Sequence, residues 1–435
     1  FIGGGCLNSI EGSCRSTILN GSRNEIRSCY NHDGAGSGSE ESTIIGGCCN
    51  RIDGSIGSSI LGGCQNITHP NASNSVIAGG NINNIHCFSS FIGGGTCNTT
   101  CDRASFIGNG CRNIADGQCT TIVNGCGLSA LNTGSVVVGG IKNKAGQIKY
   151  PAIGKCATVI AGCDNYSEAT ASVIIGGNKN KICVQAGGSL IAAGTCNCIL
   201  SGGSSSILGG FYNCIVDGGC NTIIGGLRNC TGTITNRFVY TEKSTIIGGE
   251  CNSITSGRFN TIIGGSKHTN ASVCSIIGAG YCNVIGGSSQ GTAGHNAILV
   301  GAYNCIGDNN GNNIILGGVY NKSLSGGMNF IGTGYKNYIH CGQNRCNTIL
   351  HGQYNVIRDQ NCFTTILGGQ CNVIDKRCVH GAVIAAGDNI TAVSGNMLHI
   401  NQLFMTLTCV PSSDPGVDGV IYRSGNTLMI SNSAG

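Results

Sequence analysis

The sequence predicts an all-β fold, a parallel β-solenoid of roughly 23 short coils, and three observations predict it. The first is one repeated sentence, S-x-I-I-G-G-x-x-N-x-I. It is plain from Ser42 to Ile52 and returns at Ser58 to Asn66, Ser172 to Ile182, Ser206 to Ile215, Ser244 to Ile254 and Thr364 to Ile374. The second is its period. The anchor Asn recurs mostly every 15 to 17 residues, from Asn8, Asn24, Asn50, Asn66, Asn83, Asn98 and Asn113 on to Asn389. The third is composition: 435 residues hold 75 Gly, 4 Pro, no Trp and only 10% charged residues. That is too poor in aromatics for a single globular core. It is not collagen either, because Gly does not fall at every third place and Pro is scarce. Low charge with positive mean hydropathy argues against disorder.

Each part of the repeat has a structural reading. In Thr43-Ile44-Ile45 the β-branched residues predict a strand whose alternate side chains point to opposite faces. Ile44 then lies on one face and Ile45 on the other. The Ile45 place is filled again by Leu61, Val138, Ile160, Ile175, Leu208, Ile224, Ile247, Ile263, Leu316 and Leu367. A strand apolar on both faces is usually covered on both. Asn50-Arg51-Ile52 alternates polar and apolar and reads as a half-exposed outer strand. Between the strands, Gly46 and Gly47, like Gly62 and Gly63, supply positive φ without a Cβ clash. Asn50 and Asn66 complete the turn, because Asn tolerates left-handed backbone and bonds nearby backbone groups. Stacked in register, these amides are expected to form a ladder along the rod.

A single coil buries too little to hold itself together, so the coils must stack. At about 4.8 Å per coil the result is a rod near 110 Å long. Ile44 and Ile52 supply the chain's own core. A coil this small has no room for Ile45 as well, so that face is expected to meet another chain, most simply in a closed cyclic oligomer. A monomeric solenoid with a wider coil is the alternative.

The pattern resembles S-x-[IA]-x-G-x-x-[NS]-x-[IA], the head repeat of trimeric autotransporter adhesins, which also occurs in fibres of phages and large viruses. The resemblance covers about residues 1–392. It implies a left-handed parallel β-roll in which three chains pack through their inner sheets. The chain departs from the bacterial pattern in using Ile for the usual Ala, in its longer coils and in its many Cys. From residue 393 to 435 the grammar changes. Pro411 to Leu428 is similar to a short C-terminal segment of phage and virus fibre proteins. Asp414-Pro415-Gly416 reads as a turn, and Val420-Ile421-Tyr422 with Thr427 to Ile430 as a hairpin that would cap the open solenoid end.

Thirty cysteines are many for a rod. Cys48 and Cys64 fall in one register on successive coils, at a spacing inside the disulfide window of about 4.4–6.8 Å. Cys119 with Cys126, and Cys156 with Cys163, are candidates for bridges across their own coils. Extracellular stapling and free thiols filling tight turns are the two readings.

Chemistry is sparse. No G-x-S-x-G, P-loop or H-E-x-x-H motif is present, and Asp and Glu total 19 and rarely repeat in register. No catalytic residue, metal site or cofactor is expected. His86-Cys87, His340-Cys341 and Cys378 with His380 lack paired metal-ligand spacing. A glycan-active β-helix enzyme and an ice-binding Thr array are the weaker alternatives. A thinly spread net charge of +5 gives no nucleic-acid footprint. No apolar run approaches the roughly 20 residues of a membrane span. Residue 1 lies inside a repeat, so the natural N-terminus and its targeting signals are expected to lie outside the sequence. Four coils are lengthened, at about 27–41, 145–156, 230–243 and 286–296, and insertions are where repeat rods carry recognition. The third holds Arg237, Phe238 and Tyr240, residue types favoured at binding hot spots. The expectation is a non-enzymatic homotrimeric fibre on a virion or phage, extracellular, used for attachment to a host glycan or protein receptor or for surface spacing. A bacterial surface adhesin or structural filament of the same fold is the alternative.

Overall fold

The computed structural model describes residues 1–30, 36–37, 39–147, 153–233, 241–286, 294–307, 311–324, 326–340, 345–358, 360–375, 379–385, 387–400, 411, 413, 415, 421–424 and 427–430. Among these the fold is all-β, a parallel β-solenoid of about 22 turns. The sentence Thr-Ile-Ile…Asn-Arg-Ile makes two short strands per coil, and the coils stack them into two parallel sheets of 23 strands each. In the first sheet Thr43–Ile44 pairs with Thr17–Ile18 before it and Ser59–Ile60 after it. In the second, Arg51–Asp53 pairs with Glu25–Arg27, and its first two residues pair with Ile67–Thr68. Twenty-three strands enclose 22 turns, which at about 4.8 Å each make a rod about 105 Å long.

Backbone bonds join each coil to both neighbours, as Cys49 N–H donates back to the Ser22 carbonyl (2.9 Å) while most others reach the next coil. Thr43 N–H donates to the Ser58 carbonyl (2.9 Å), Ile45 to Ile60 (3.0 Å), Cys48 to Gly63 (2.9 Å) and Arg51 to Asn66 (2.8 Å). A third ladder therefore joins the sheets. It climbs the turn through Cys6, Ser22, Cys48, Cys64, Asn81, Thr96 and onward to Asp388, one residue per coil.

The core is two columns of inward side chains. Ile44 and Ile52, with their equivalents in nearly every coil, have no exposure at all. In the second sheet the inward place narrows to Ala115, Ala130 and Ala145 on three successive coils, and becomes polar at Thr68, Thr100, Ser167, Thr231, Asn270 and Ser323. The buried hydroxyls of Thr100, Thr231 and Ser323 have no hydrogen-bond partner, so each costs the desolvation of its oxygen.

The ladder runs past residue 392. Leu398–His399 pairs with Val383–Ile384 as the last strand of the first sheet. The repeat signature is gone there, but backbone pairing needs no particular side chain. Near the C-terminus Ile421–Ser424 and Thr427–Ile430 pair antiparallel as a hairpin.

Candidate functional site

The outward side of the first sheet is the most distinctive surface among the described residues. Each strand contributes two outward residues, the Thr43 place and the Ile45 place. No charged residue occupies either place in any of its 23 strands. The large residues of the Ile45 column are exposed, as Ile45 43%, Leu208 43%, Ile224 44% and Ile263 47%. Leu61, Val138, Ile160, Ile175, Ile247, Leu316 and Leu367 are likewise exposed. The core partner Ile44 has no exposure, so the two neighbouring Ile differ as the strand alternation requires.

The two outward places compensate each other in size. Where the first is Thr or Ser, the second is Leu, Ile or Val, as in Thr43 with Ile45, Ser59 with Leu61 and Thr222 with Ile224. Where the second is Gly, the first is Phe or Ile: Phe91 with Gly93, Phe106 with Gly108, Ile276 with Gly278 and Phe330 with Gly332. Geometry gives the reason. A Cβ on Gly93 would come 2.3 Å from the Gly108 carbonyl oxygen of the next coil, which excludes it, and 3.3 Å from Cε1 of Phe91, whose ring lies beside the glycine. The rings of Phe91 and Phe106 stack at 5.4 Å. Other strands are large at both places, as Ile314 with Leu316, or pair Val with Ala, as Val76 with Ala78, so the match in size is confined to part of the face. Charged pairs gather instead on the second sheet, as in Arg27–Asp53 (2.7 Å), Arg51–Asp53 (2.7 Å) and Lys181–Glu168 (3.6 Å).

The Gly and Asn turn is built differently from the sequence expectation. In these two pairs only the second Gly has positive φ, Gly47 at 92° and Gly63 at 90°. A Cβ there would come 2.1 Å from the Gly63 or Gly80 carbonyl oxygen of the next coil. Nothing presses on Gly62 within 4 Å, and Asn, Ala, Val, Thr and His take the first place elsewhere. Asn50 and Asn66 are not left-handed either. That conformation falls to the residue before them, Cys49 (φ 56°) and Gln65 (φ 57°). Asn50 acts through its side chain. Its Nδ2 donates to the carbonyls of Gly46 (3.1 Å) and Gly63 (3.0 Å), and its Oδ1 accepts from Asn66 N–H (3.1 Å). The ladder therefore passes mainly through backbone groups rather than from amide to amide. It is interrupted by Leu128 and by His268, whose Nδ1 accepts from Asn283 N–H (3.0 Å). It ends at Ile390, which holds the Asn place, while Asn389 takes the left-handed place (φ 58°).

A second polar column went unassigned in the sequence. The Ser that opens each repeat is buried and bonds from coil to coil. Ser58 N–H donates to Ser42 Oγ (3.4 Å), and Ser90 N–H donates to Ser75 Oγ (3.0 Å). Toward the C-terminus Asn260, Asn296, Asn313 and Asn329 take over, as in Asn313 N–H to Asn296 Oδ1 (3.0 Å). The signal was a polar residue two places before the buried Ile in most coils, with Ala157 and Ala382 as exceptions.

The six candidate cysteines, Cys48, Cys64, Cys119, Cys126, Cys156 and Cys163, are free thiols. Cys48 and Cys64 are neighbours in the turn ladder, and the Sγ atoms of Cys48 and Cys49 lie 3.2 Å apart. Cys119 and Cys126 flank the Thr121–Ile122 strand, and Cys156 and Cys163 flank Thr158–Val159. A closer group stands on the second sheet, where Cys198, Cys214 and Cys230 stack in register. Hydrogen bonds from Cys183 and Cys214 hold the Cys198 thiol down at about 4, and the same contacts push Cys183 and Cys214 up. Among the described residues no group of three His, Cys, Asp or Glu side chains is arranged to hold a metal ion, and no helix is long and apolar enough to cross a membrane.

Arg237, Phe238 and Tyr240 lie outside the described residues. The chain around them enters from Cys230–Thr231 of the second sheet and leaves to Thr245–Ile246 of the first. Compared with known proteins, the chain matches no family model and no curated protein.

Proposed function

We propose that this chain is a non-enzymatic structural and adhesive rod, a left-handed β-roll that associates with copies of itself through the outward face of the first sheet. The observation that carries this reading is that face: uncharged in all 23 strands and lined along much of the rod by exposed aliphatic side chains. Burying a whole aliphatic side chain is worth about 1.5–3 kcal/mol, so each half-exposed residue in the Ile45 column has about 1 kcal/mol still to gain. Large exposed apolar patches mark interaction sites. A second copy presents the same flat face, which closes the interface symmetrically. The number three rests on the resemblance of the repeat to trimeric adhesin heads. Its similarity to virion and phage fibres points to attachment or surface spacing outside the cell, with a glycan or protein receptor as the further partner and the C-terminal hairpin as a cap. Recognition would then fall to the lengthened coils.

Native mass measurement with and without reductant tests the assembly. Three chains in both conditions are expected. A single chain in both overturns the proposal. Three chains that separate only in reductant would place disulfides between chains rather than the apolar face.

A further inference from the structure

The turn between the sheets carries a feature that stacking and self-association leave unused. Over six successive coils it is lined by Lys267, Tyr281, Tyr303, Tyr320, Tyr335, Lys336 and Tyr354. The five rings form one continuous file. Successive centroids lie 5.4, 4.7, 6.1 and 5.5 Å apart, with Tyr303 and Tyr320 stacked and the other contacts edge-on. Tyr303, Tyr320 and Tyr354 remain 40–41% exposed. Each of these three holds left-handed backbone, φ 55–57°, at the place of the turn that Arg23, Ile82 and Lys142 take in other coils. Cations lie against both ends. Lys267 Nζ is 2.9 Å from the Tyr281 hydroxyl, and Lys336 Nζ sits 5.0 and 5.3 Å from the Tyr335 and Tyr354 ring centroids. Lys322 stands exposed on the adjoining strand of the second sheet. No carboxylate occurs in the turn segments 264–267, 279–282, 300–303, 317–320, 333–336 or 351–354.

We propose that this file is a binding track for an extended acidic polysaccharide, with sugar rings laid on the tyrosine faces and carboxylates meeting Lys267, Lys322 and Lys336. Exposed rings offer flat apolar faces with a polar edge, which suits a sugar's C–H face and hydroxyl rim. A file built only to stiffen the stack would bury its rings. The equivalent turn places in other coils hold Gln65, Arg112 and Asp164 without loss of register. The track is a line, not a compact patch around a central pocket, which argues against a folded protein partner. Three lysines are too few for the phosphate neutralisation that sustains nucleic-acid binding. A periodic polymer along a periodic rod also multiplies weak contacts.

This deepens the reading of the chain as an attachment rod, and the two fail separately. The test is calorimetric binding of the full chain to polygalacturonate, with dextran as neutral control and a single-stranded oligonucleotide as rival. Binding to polygalacturonate alone, weakened by salt, is expected. Tyr303→Ser with Tyr320→Ser should weaken it about tenfold or more, and Lys336→Gln about threefold, while Tyr320→Phe should stay within about twofold. No binding to polygalacturonate, preference for the oligonucleotide, or unchanged affinity in the folded double variant overturns the track. Should the double variant not fold, Lys336→Gln with Lys267→Gln, which keeps every ring, decides by the same measure. A single chain that binds through the tyrosines would sink the self-association and leave the track. A trimer that ignores the polymer would do the reverse.

Discussion

The two turns of each coil obey different rules. From the buried Ile of the first sheet to the Asn place there are always six positions, as in Ile44 to Asn50, Ile60 to Asn66, Ile223 to Asn229 and Ile384 to Ile390. All variation in coil length, from 15 residues between Phe91 and Phe106 to 26 between Thr17 and Thr43, falls at the other turn, between the second sheet and the next Ser. The reason is how each turn is bonded. At the Gly and Asn turn the chain is gripped from both sides by the Asn side chain, and the invariant Gly sits against the next coil's carbonyl. One extra residue would throw all of those contacts out of register. At the Ser turn the hydroxyl accepts one N–H from the next coil and donates to a carbonyl of that coil, as Ser90 Oγ accepts from Ser105 N–H (3.3 Å) and donates to the Asp102 carbonyl (3.1 Å). The first turn keeps the rod straight, and the second is free to carry insertions.

The largest effect should come from inserting Gly-Ser in one coil at either turn. Between Gly94 and Gly95 it displaces Asn98 from the Gly94 and Gly110 carbonyls (both 2.9 Å) and from Asn83 Oδ1 (3.0 Å). That should cost more than about 4 kcal/mol in urea unfolding. Between Asp102 and Arg103 the same insertion should cost under about 1 kcal/mol, since loop length is cheap there. Equal losses at both sites would erase the contrast.

Single side chains sharpen it. Asn98→Ala removes three hydrogen bonds and should cost about 3 kcal/mol, against about 1 kcal/mol for Ser90→Ala, both read as shifts in the urea midpoint. The natural interruption at Leu128 makes the converse test, because Leu128→Asn should gain about 1 kcal/mol by restoring an acceptor to the column.

The smallest effect concerns pH. Burial lowers the pKa of His268, so below about 6.5 the unfolded chain takes up a proton that the folded column resists. Stability contributed by neutral His268 is therefore present above that pH and lost as pH falls toward the lowered folded value. His268→Asn should narrow the loss of stability between pH 7 and pH 5. A variant as acid-sensitive as the parent would show that the ladder does not feel this residue. His69 and His86, also lowered chiefly by burial, keep their own share in both proteins.

Much of this was legible in the sequence because the repeat is exact where the backbone has no choice. The second Gly, the Asn place and the buried Ile column recur at fixed offsets, and a reader of the sequence finds the solenoid and its two faces from them. Three things were not legible. Which residue bears the left-handed backbone was hidden, since Cys49 and Gln65 look ordinary while Asn50 looks suited to it. The Ser column looked like part of the motif rather than a ladder, because its bonds join residues some 16 apart (Ser42 to Ser58). The tyrosine file was scattered from Tyr281 to Tyr354 and became a surface only when the coils stacked.

The sequence by itself determined the period, the parallel strands and the split between Ile44 inside and Ile45 outside, because alternation along a strand is a local property. Only the tertiary structure decided which neighbours the stack creates. It set Gly93 against the Gly108 carbonyl, left Thr100, Thr231 and Ser323 without partners and brought five tyrosines into one line. Those are relations between coils, and they exist only once about 4.8 Å separates residues that the chain holds a whole repeat apart.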